Sequence, residues 1–303
     1  MKKLFVYLIA LSVLLPTAMV AANSTPQKPP KITRPTKPMS KPNVKPRTPA
    51  NRSHRQSSQS SSATSQRVNP ALISVTGAKT FTVNGVNFTM VGVQGGTFHM
   101  GSKDGRDDEK PIHSITLSSY YIGQTEVTQA LWKVVMGSNP SNFKGDNLPV
   151  EMVSWNDCQS FITKLNQQTG EHFRLPTEAE WEFAVRGGRK SRGFKYSGNT
   201  NIDYVAWYDG NFGSKTHPVA TKSPNELGIY DMSGNVYEWC QDWKGNYCSS
   251  PQTNPTGPTS GSGRVIRGGG WRHDARYCRS AFRGHYAPDS RSDDIGLRLV
   301  LSE

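Results

Sequence analysis

One short stretch gathers hard oxygen ligands at close spacing. Asp231-Met232-Ser233-Gly234-Asn235-Val236-Tyr237-Glu238 brackets a Gly-Asn pair with two carboxylates. Calcium takes roughly six to eight oxygens, from carboxylates and backbone carbonyls alike. The side chains of Asp231 and Glu238, with the carbonyls of Gly234 and Val236, would supply four. The competing reading is a turn in which Asp231 and Asn235 bond only their own backbone. A domain of many polar loops needs cross-links, so the expectation here is a calcium site.

The other candidates carry less. The four cysteines, Cys158, Cys240, Cys248 and Cys278, allow three full pairings, and sequence does not choose among them. A Cys240–Cys248 bridge would stabilise by roughly 2–3 kcal/mol if unstrained. The seven His show no H-x-H or H-E-x-x-H spacing, so zinc is unsupported. There is no G-x-S-x-G elbow and no phosphate-binding loop. Asp107-Asp108-Glu109 with His113 could mimic an acid/base cluster, but a solvated loop is the expectation. Trp207, Tyr208, Trp271 and Tyr286 could line a groove for peptide or glycan, although most Trp are expected in the core.

The elements that must position these residues are short. Phe81–Phe88 reads as a hairpin, with Asn84-Gly85 supplying the two positive-φ positions of a type I′ turn. A strand should follow from Thr89 to Val93, and Ile115-Thr116-Leu117 alternates as another. Thr128 can cap a helix that runs to Met136 and closes at Gly137. Ser154 opens a second, with Asp157 completing a capping-box variant. Cys158, Phe161, Ile162 and Leu165 share its inner face, which makes Cys158 a core residue, and Gly170 ends it. Thr177-Glu178-Ala179-Glu180 is a full capping box for a third, which should end near Gly187-Gly188. Residues 188–303 hold no long periodic segment, and their polar loops need internal hydrogen bonds or ions to stay ordered.

Composition sets the outer bounds. The formal charge of +13 divides into +2 from Lys2 and Lys3, +10 from residues 23–70 and +1 from residues 71–303. The pI of 9.6 therefore describes a tail, and a basic nucleic-acid-binding face within folded sequence is not indicated. Residues 1–22 read as a cleaved export signal: Lys2-Lys3, an apolar run from Leu4 to Val20, then Val20-Ala21-Ala22 before Asn23. Residues 23–70 carry ten Lys/Arg, nine Pro, nine Ser and no acid. They read as a disordered basic spacer, a solvated tether. Residues 71–303 form the folded domain. The expected location is exported: periplasmic, cell-envelope or secreted, with no membrane span after signal cleavage.

Several ordered segments together resemble one family. They are Gly95-Gly96-Thr97-Phe98-His99-Met100-Gly101-Ser102, Glu126-Val127-Thr128, Pro149-Val150-Glu151-Met152-Val153-Ser154-Trp155 and Arg174-Leu175-Pro176-Thr177-Glu178-Ala179-Glu180-Trp181-Glu182. Further on come Asn225-Glu226-Leu227-Gly228-Ile229-Tyr230-Asp231-Met232-Ser233-Gly234-Asn235-Val236-Tyr237-Glu238-Trp239, Arg267-Gly268-Gly269-Gly270-Trp271 and Ile295-Gly296-Leu297-Arg298. This succession resembles the formylglycine-generating enzyme (sulfatase-modifying factor) family from about Phe88 to Ser302. The resemblance implies a single compact, loop-rich α+β domain of the C-type-lectin-like kind. It also implies bound calcium at Asp231, Gly234, Val236 and Glu238 and, in active members, a copper-dependent oxidase. Those members use a cysteine pair on copper(I) to convert a sulfatase cysteine to formylglycine, and soft thiolates suit that ion.

The sequence departs from the family where that chemistry resides. Active members follow the final Gly-Gly with Ser, two residues, Cys, four residues, Cys. Counted from Gly268-Gly269, Gly270 stands at the Ser position, His273 at the first cysteine and Cys278 at the second. Counted back from Arg279-Ser280-Ala281-Phe282-Arg283, Cys278 falls outside the pair. At most one thiolate remains. The expectation is a non-catalytic relative that binds a protein, peptide or glycan in the cell envelope. The alternative is a divergent oxidase that acts on a sulfatase through Cys278 and His273.

Overall fold

The computed structural model describes residues 77–302. The export signal and the whole of the basic spacer, both read from sequence, lie outside the described residues. Along the chain run β1 (Ala78–Val83), β2 (Val86–Val93), β3 (Gly96–Met100), β4 (His113–Leu117) and β5 (Tyr120–Gly123), then α1 (Gln129–Met136) and α2 (Trp155–Thr169). β6 (Phe173–Arg174) and α3 (Glu178–Val185) follow. The last third holds β7 (Tyr237–Trp243), β8 (Gln252–Thr253), β9 (Arg264–Arg267), β10 (Gly284–Tyr286), β11 (Ile295–Gly296) and β12 (Val300–Ser302).

The strands form three sheets, ordered β1-β2-β5-β12-β6, β10-β9-β7-β11 and β3-β4-β8. β12 inserts between β5 and β6 and ties these two strands together. This is the loop-rich α+β architecture expected from the sequence. The hairpin turns at Asn84 (φ 48°) and Gly85 (φ 81°), and β2 absorbs the strand expected at Thr89–Val93.

The helices begin where their caps predict. Thr128 accepts from the Leu131 N–H, and Gly137 closes α1 in the left-handed region. Ser154 and Asp157 form a reciprocal capping box, and so do Thr177 and Glu180. α3 stops at Val185, slightly before the glycine pair. Trp132 of α1 stacks on Phe161 of α2 at 4.8 Å between centroids. Both belong to one core cluster with Cys158, Leu165 and Trp239. A second cluster surrounds Trp181 and Cys240, and a third joins Tyr196, Ile202, Val205, Ala206 and Cys278.

α3 is buried on every side, including Glu178, Glu180 and Glu182. Buried carboxylates are tolerated only when paired and hydrogen-bonded. Arg283 grips Glu178 at 2.5 and 2.6 Å. Arg186 and the Gly101 N–H reach Glu182 at 2.8 Å, and the fully buried Arg267 also pairs with Glu182. The Asp107-Asp108-Glu109 stretch corrects the sequence reading. Instead of a solvated loop, Glu109 is wholly buried and clasped by Arg279, while Asp108 holds Lys244 at 2.7 Å. Trp271 is largely buried, as expected of most Trp.

Candidate functional site

Residues 231–238 form a loop wound through unusual backbone. Asp231 and Asn235 both sit at φ 59° and Gly234 at φ 81°. At Gly234 the conformation coincides with a close approach, since a Cβ there would lie 2.3 Å from the Trp207 carbonyl. Left-handed conformations at non-glycine residues persist only where surroundings enforce them. Here Asn235 is the enforcing hub. Its N–H donates to Trp207 O, its carbonyl accepts from the Trp271 N–H, and its amide Nδ2 donates to Glu126 Oε2 at 2.7 Å.

The loop encloses three buried carboxylates, Glu126, Asp231 and Glu238, beside one guanidinium. Arg298 donates to both oxygens of Glu238 at 2.7–3.0 Å, and the Trp181 indole N–H adds a bond of 2.7 Å. Glu126 accepts from Asn235 and from the Val236 N–H. Asp231 accepts from the Ala220 N–H. Burial pushes Glu126 well above the usual carboxylate range, and Asp231 and Glu238 push it the same way. Burial also raises Asp231, partly offset by Ala220 N–H and Arg298.

The four expected calcium donors differ in availability. Among the described residues, no hydrogen bond reaches the carbonyls of Gly234 or Val236, and Asp231 carries one carboxylate bond. These three keep oxygen lone pairs that a hard cation could use. Glu238 does not fit while Arg298 and Trp181 occupy its oxygens. Among the described residues no three His, Cys, Asp or Glu side chains converge as metal ligands, so an ion here would rest on backbone carbonyls. Glu126 and Arg298 stand in the sequence only within their motifs, with no local sign of a shared site. The signal for Glu126 was an acid placed just before the Thr128 cap.

The second candidate site is the stretch after Gly268-Gly269. Cys278 ends a turn of 3-10 helix over Ala275–Cys278 and is fully buried. Gly269, at φ 80°, lies over the thiol so closely that a Cβ there would be 2.6 Å from the sulfur. Burial pushes the thiol far up, and Asp209 and Asp274 add to the shift. Ser233 ties this turn to the 231–238 loop by donating to the Cys278 carbonyl at 2.9 Å.

His273 sits elsewhere on that stretch, with its ring against Tyr237 and Tyr277 at 5.0 and 5.6 Å. Its Nδ1 lies 3.3 Å from Asp294 Oδ2, and burial holds its pKa below the ordinary histidine value despite that carboxylate. All four cysteines are free thiols, and only Cys248 is exposed. Cys158, Cys240 and Cys278 belong to three different core clusters. A thiolate is the copper ligand and the nucleophile, and burial disfavours that form of Cys278.

Residues 77–303 match the family described as the sulfatase-modifying factor enzyme 1-like domain. Chaperone protein LppX of Paenibacillus barcinonensis is 37% identical over 268 residues, covering 72% of this chain and 91% of that protein. The formylglycine-generating enzyme of Streptomyces coelicolor is 30% identical over 283 residues, covering 69% and 88%. Among solved structures, Treponema denticola variable protein 1 superposes with a TM-score of 0.71 at 37% identity, over 75% of this chain and 99% of that one. With the motifs and the fold in agreement, the chain belongs to the sulfatase-modifying factor (formylglycine-generating enzyme) family.

Proposed function

We propose that the protein is a non-catalytic member of this family, an exported binding module of the cell envelope. One observation carries this reading: the only thiol in the catalytic stretch is buried under Gly269, and the remaining three lie in other parts of the fold or at the surface. The names of two 37% identical proteins, a chaperone and a variable protein, support it. The 30% identity to a formylglycine-generating enzyme supports the alternative, a divergent oxidase using Cys278 with His273. Incubating the full chain with copper(I), oxygen and a cysteine-containing sulfatase-motif peptide separates them. The expected result is no aldehyde above the protein-free control. Robust aldehyde formation lost on Cys278→Ser would establish the oxidase instead.

A calcium ion in the 231–238 loop is part of the same reading, held by Asp231 and the carbonyls of Gly234 and Val236. It would supply positive charge against Glu126 and Asp231 and brace the loop. An ion present at about 100 times its Kd adds about 2.7 kcal/mol, or roughly 5–10 °C in Tm for a domain of this size. Chelation should lower the melting temperature by that order, and Asp231→Ala should remove the sensitivity. An identical melt with and without chelator rules the ion out.

A further inference from the structure

We propose that the cavity between the end of β7 and the 245–258 loop binds an uncharged saccharide unit; this rests on the binding-module reading and gives it a ligand class. The cavity measures about 550 Å³, within the roughly 300–1,000 Å³ of small-ligand sites. It lies away from both sites described above and shares no lining residue with the 231–238 loop or the 269–278 stretch.

Its chemistry defines the occupant. Met100, Trp243, Tyr247, Pro255 and Pro258 form apolar wall, and Asn246, Gln252, Thr253 and Thr256 bring amides and hydroxyls to it. Among the described residues these four polar side chains make no hydrogen bonds within the protein, so they are free for a ligand. The formal charges on the wall are already paired. Glu178 is held at two points by Arg283, whose Nη1 donates to the carbonyls of Asp108 and Gly245. The His113 Nδ1 contacts the Pro111 carbonyl at 2.9 Å. A charged ligand would lose its hydration and gain no partner. A polyhydroxylated neutral one finds amide and hydroxyl partners beside an apolar face.

Cys248 also lines the cavity as a free thiol, and the remaining acidic wall group, Asp242, is buried. Oδ2 accepts from the Glu178 N–H at 2.9 Å, and no protein donor reaches Oδ1 among the described residues. Burial lifts its pKa to about 8, with Glu178 and Glu180 adding and Arg283 opposing; Arg174, Cys240 and Arg264 are the other titratable groups that interact with it. At neutral pH Asp242 therefore favours its protonated form, whose O–H can donate to a sugar hydroxyl oxygen.

The test is titration calorimetry of the full chain with a panel of neutral oligosaccharides of glucose, galactose, mannose and N-acetylglucosamine, against sulfated and sialylated counterparts. Short peptides form a third arm. The expected result is binding of at least one neutral oligosaccharide, weakened at least about tenfold by Thr256→Trp, whose exposed loop position leaves the fold intact by melting. Binding should also weaken severalfold between pH 6.5 and pH 9.5, and Asp242→Asn should keep the affinity but lose that dependence. Binding of no neutral sugar, preference for the acidic sugars or peptides, or affinity unchanged in Thr256→Trp overturns the proposal. Because aldehyde formation is measured separately, failure here leaves the non-catalytic reading standing.

Discussion

Arg267→Met is expected to destabilise the domain by about 3–5 kcal/mol in urea unfolding, the cost of stranding a buried charge. Arg267 has no solvent exposure. It pairs with Glu182, lies 3.6 Å from Glu178 and donates to the Phe282 carbonyl. Burial alone would raise both carboxyls, yet Arg283 and Arg267 hold Glu178 below its ordinary range, and Arg186 and Arg267 do the same for Glu182. Removing Arg267 leaves two ionised carboxylates short of a counter-charge in the interior. The double variant Arg267→Met/Glu182→Leu should recover part of the loss, because it removes a charge along with its partner. A single-variant loss within about 1 kcal/mol of zero would show that the network is not holding α3 in place.

Stability is expected to fall as pH rises from 5 to 9. Four buried carboxyls have pKa values above the unfolded value near 4, Glu126 among them. Asp242 is lifted to about 8, Glu151 to about 7, and Asp231 also upward, each first by burial. Glu151 accepts from the Phe143 N–H through Oε1, while its Oε2 has no partner among the described residues. A raised folded-state pKa means stability fully present below about pH 4 and lost as pH climbs to the folded value. Each such group costs up to about 1.4 kcal/mol per pH unit in that window. Glu178 and Glu182, whose values are lowered, act on the acid side, losing their contribution as pH falls below about 4. The prediction is a maximum near pH 5 and, from Asp242 alone, a loss of about 2 kcal/mol between pH 6 and pH 8. Asp242→Asn should flatten that interval. Urea midpoints unchanged from pH 5 to pH 9 would contradict the argument.

Local chemistry was legible in the sequence. Caps at Thr128, Ser154 and Thr177, the left-handed stops at Gly137 and Gly170 and the Asn84-Gly85 turn each depend on neighbours a few residues away, and the fold places each as read. Cys158 follows from helical period and is buried. The charge pairings were not legible. Glu109 and Arg279 lie 170 residues apart, Arg283 and Glu178 105, and Arg298 and Glu238 60. No periodicity links such positions, so Asp107-Asp108-Glu109 read as an exposed acidic run. The candidate ion loop was read with Glu238 as a ligand because its spacing suits one, while the distant Arg298 that occupies it gave no local signal. The Asp242 cavity was also hidden, since it assembles from β3, β4, α3, β7 and the 245–258 loop only in the folded chain.

Whether the protein offers copper(I) two sulfurs at one site is tested most directly by competition titration of the reduced full chain against a copper(I)-chelating indicator. Wild type and Cys278→Ser should bind the ion equally weakly, with no two-sulfur coordination in X-ray absorption. A one-to-one copper(I) complex with two sulfur ligands, abolished by Cys278→Ser, would contradict the account.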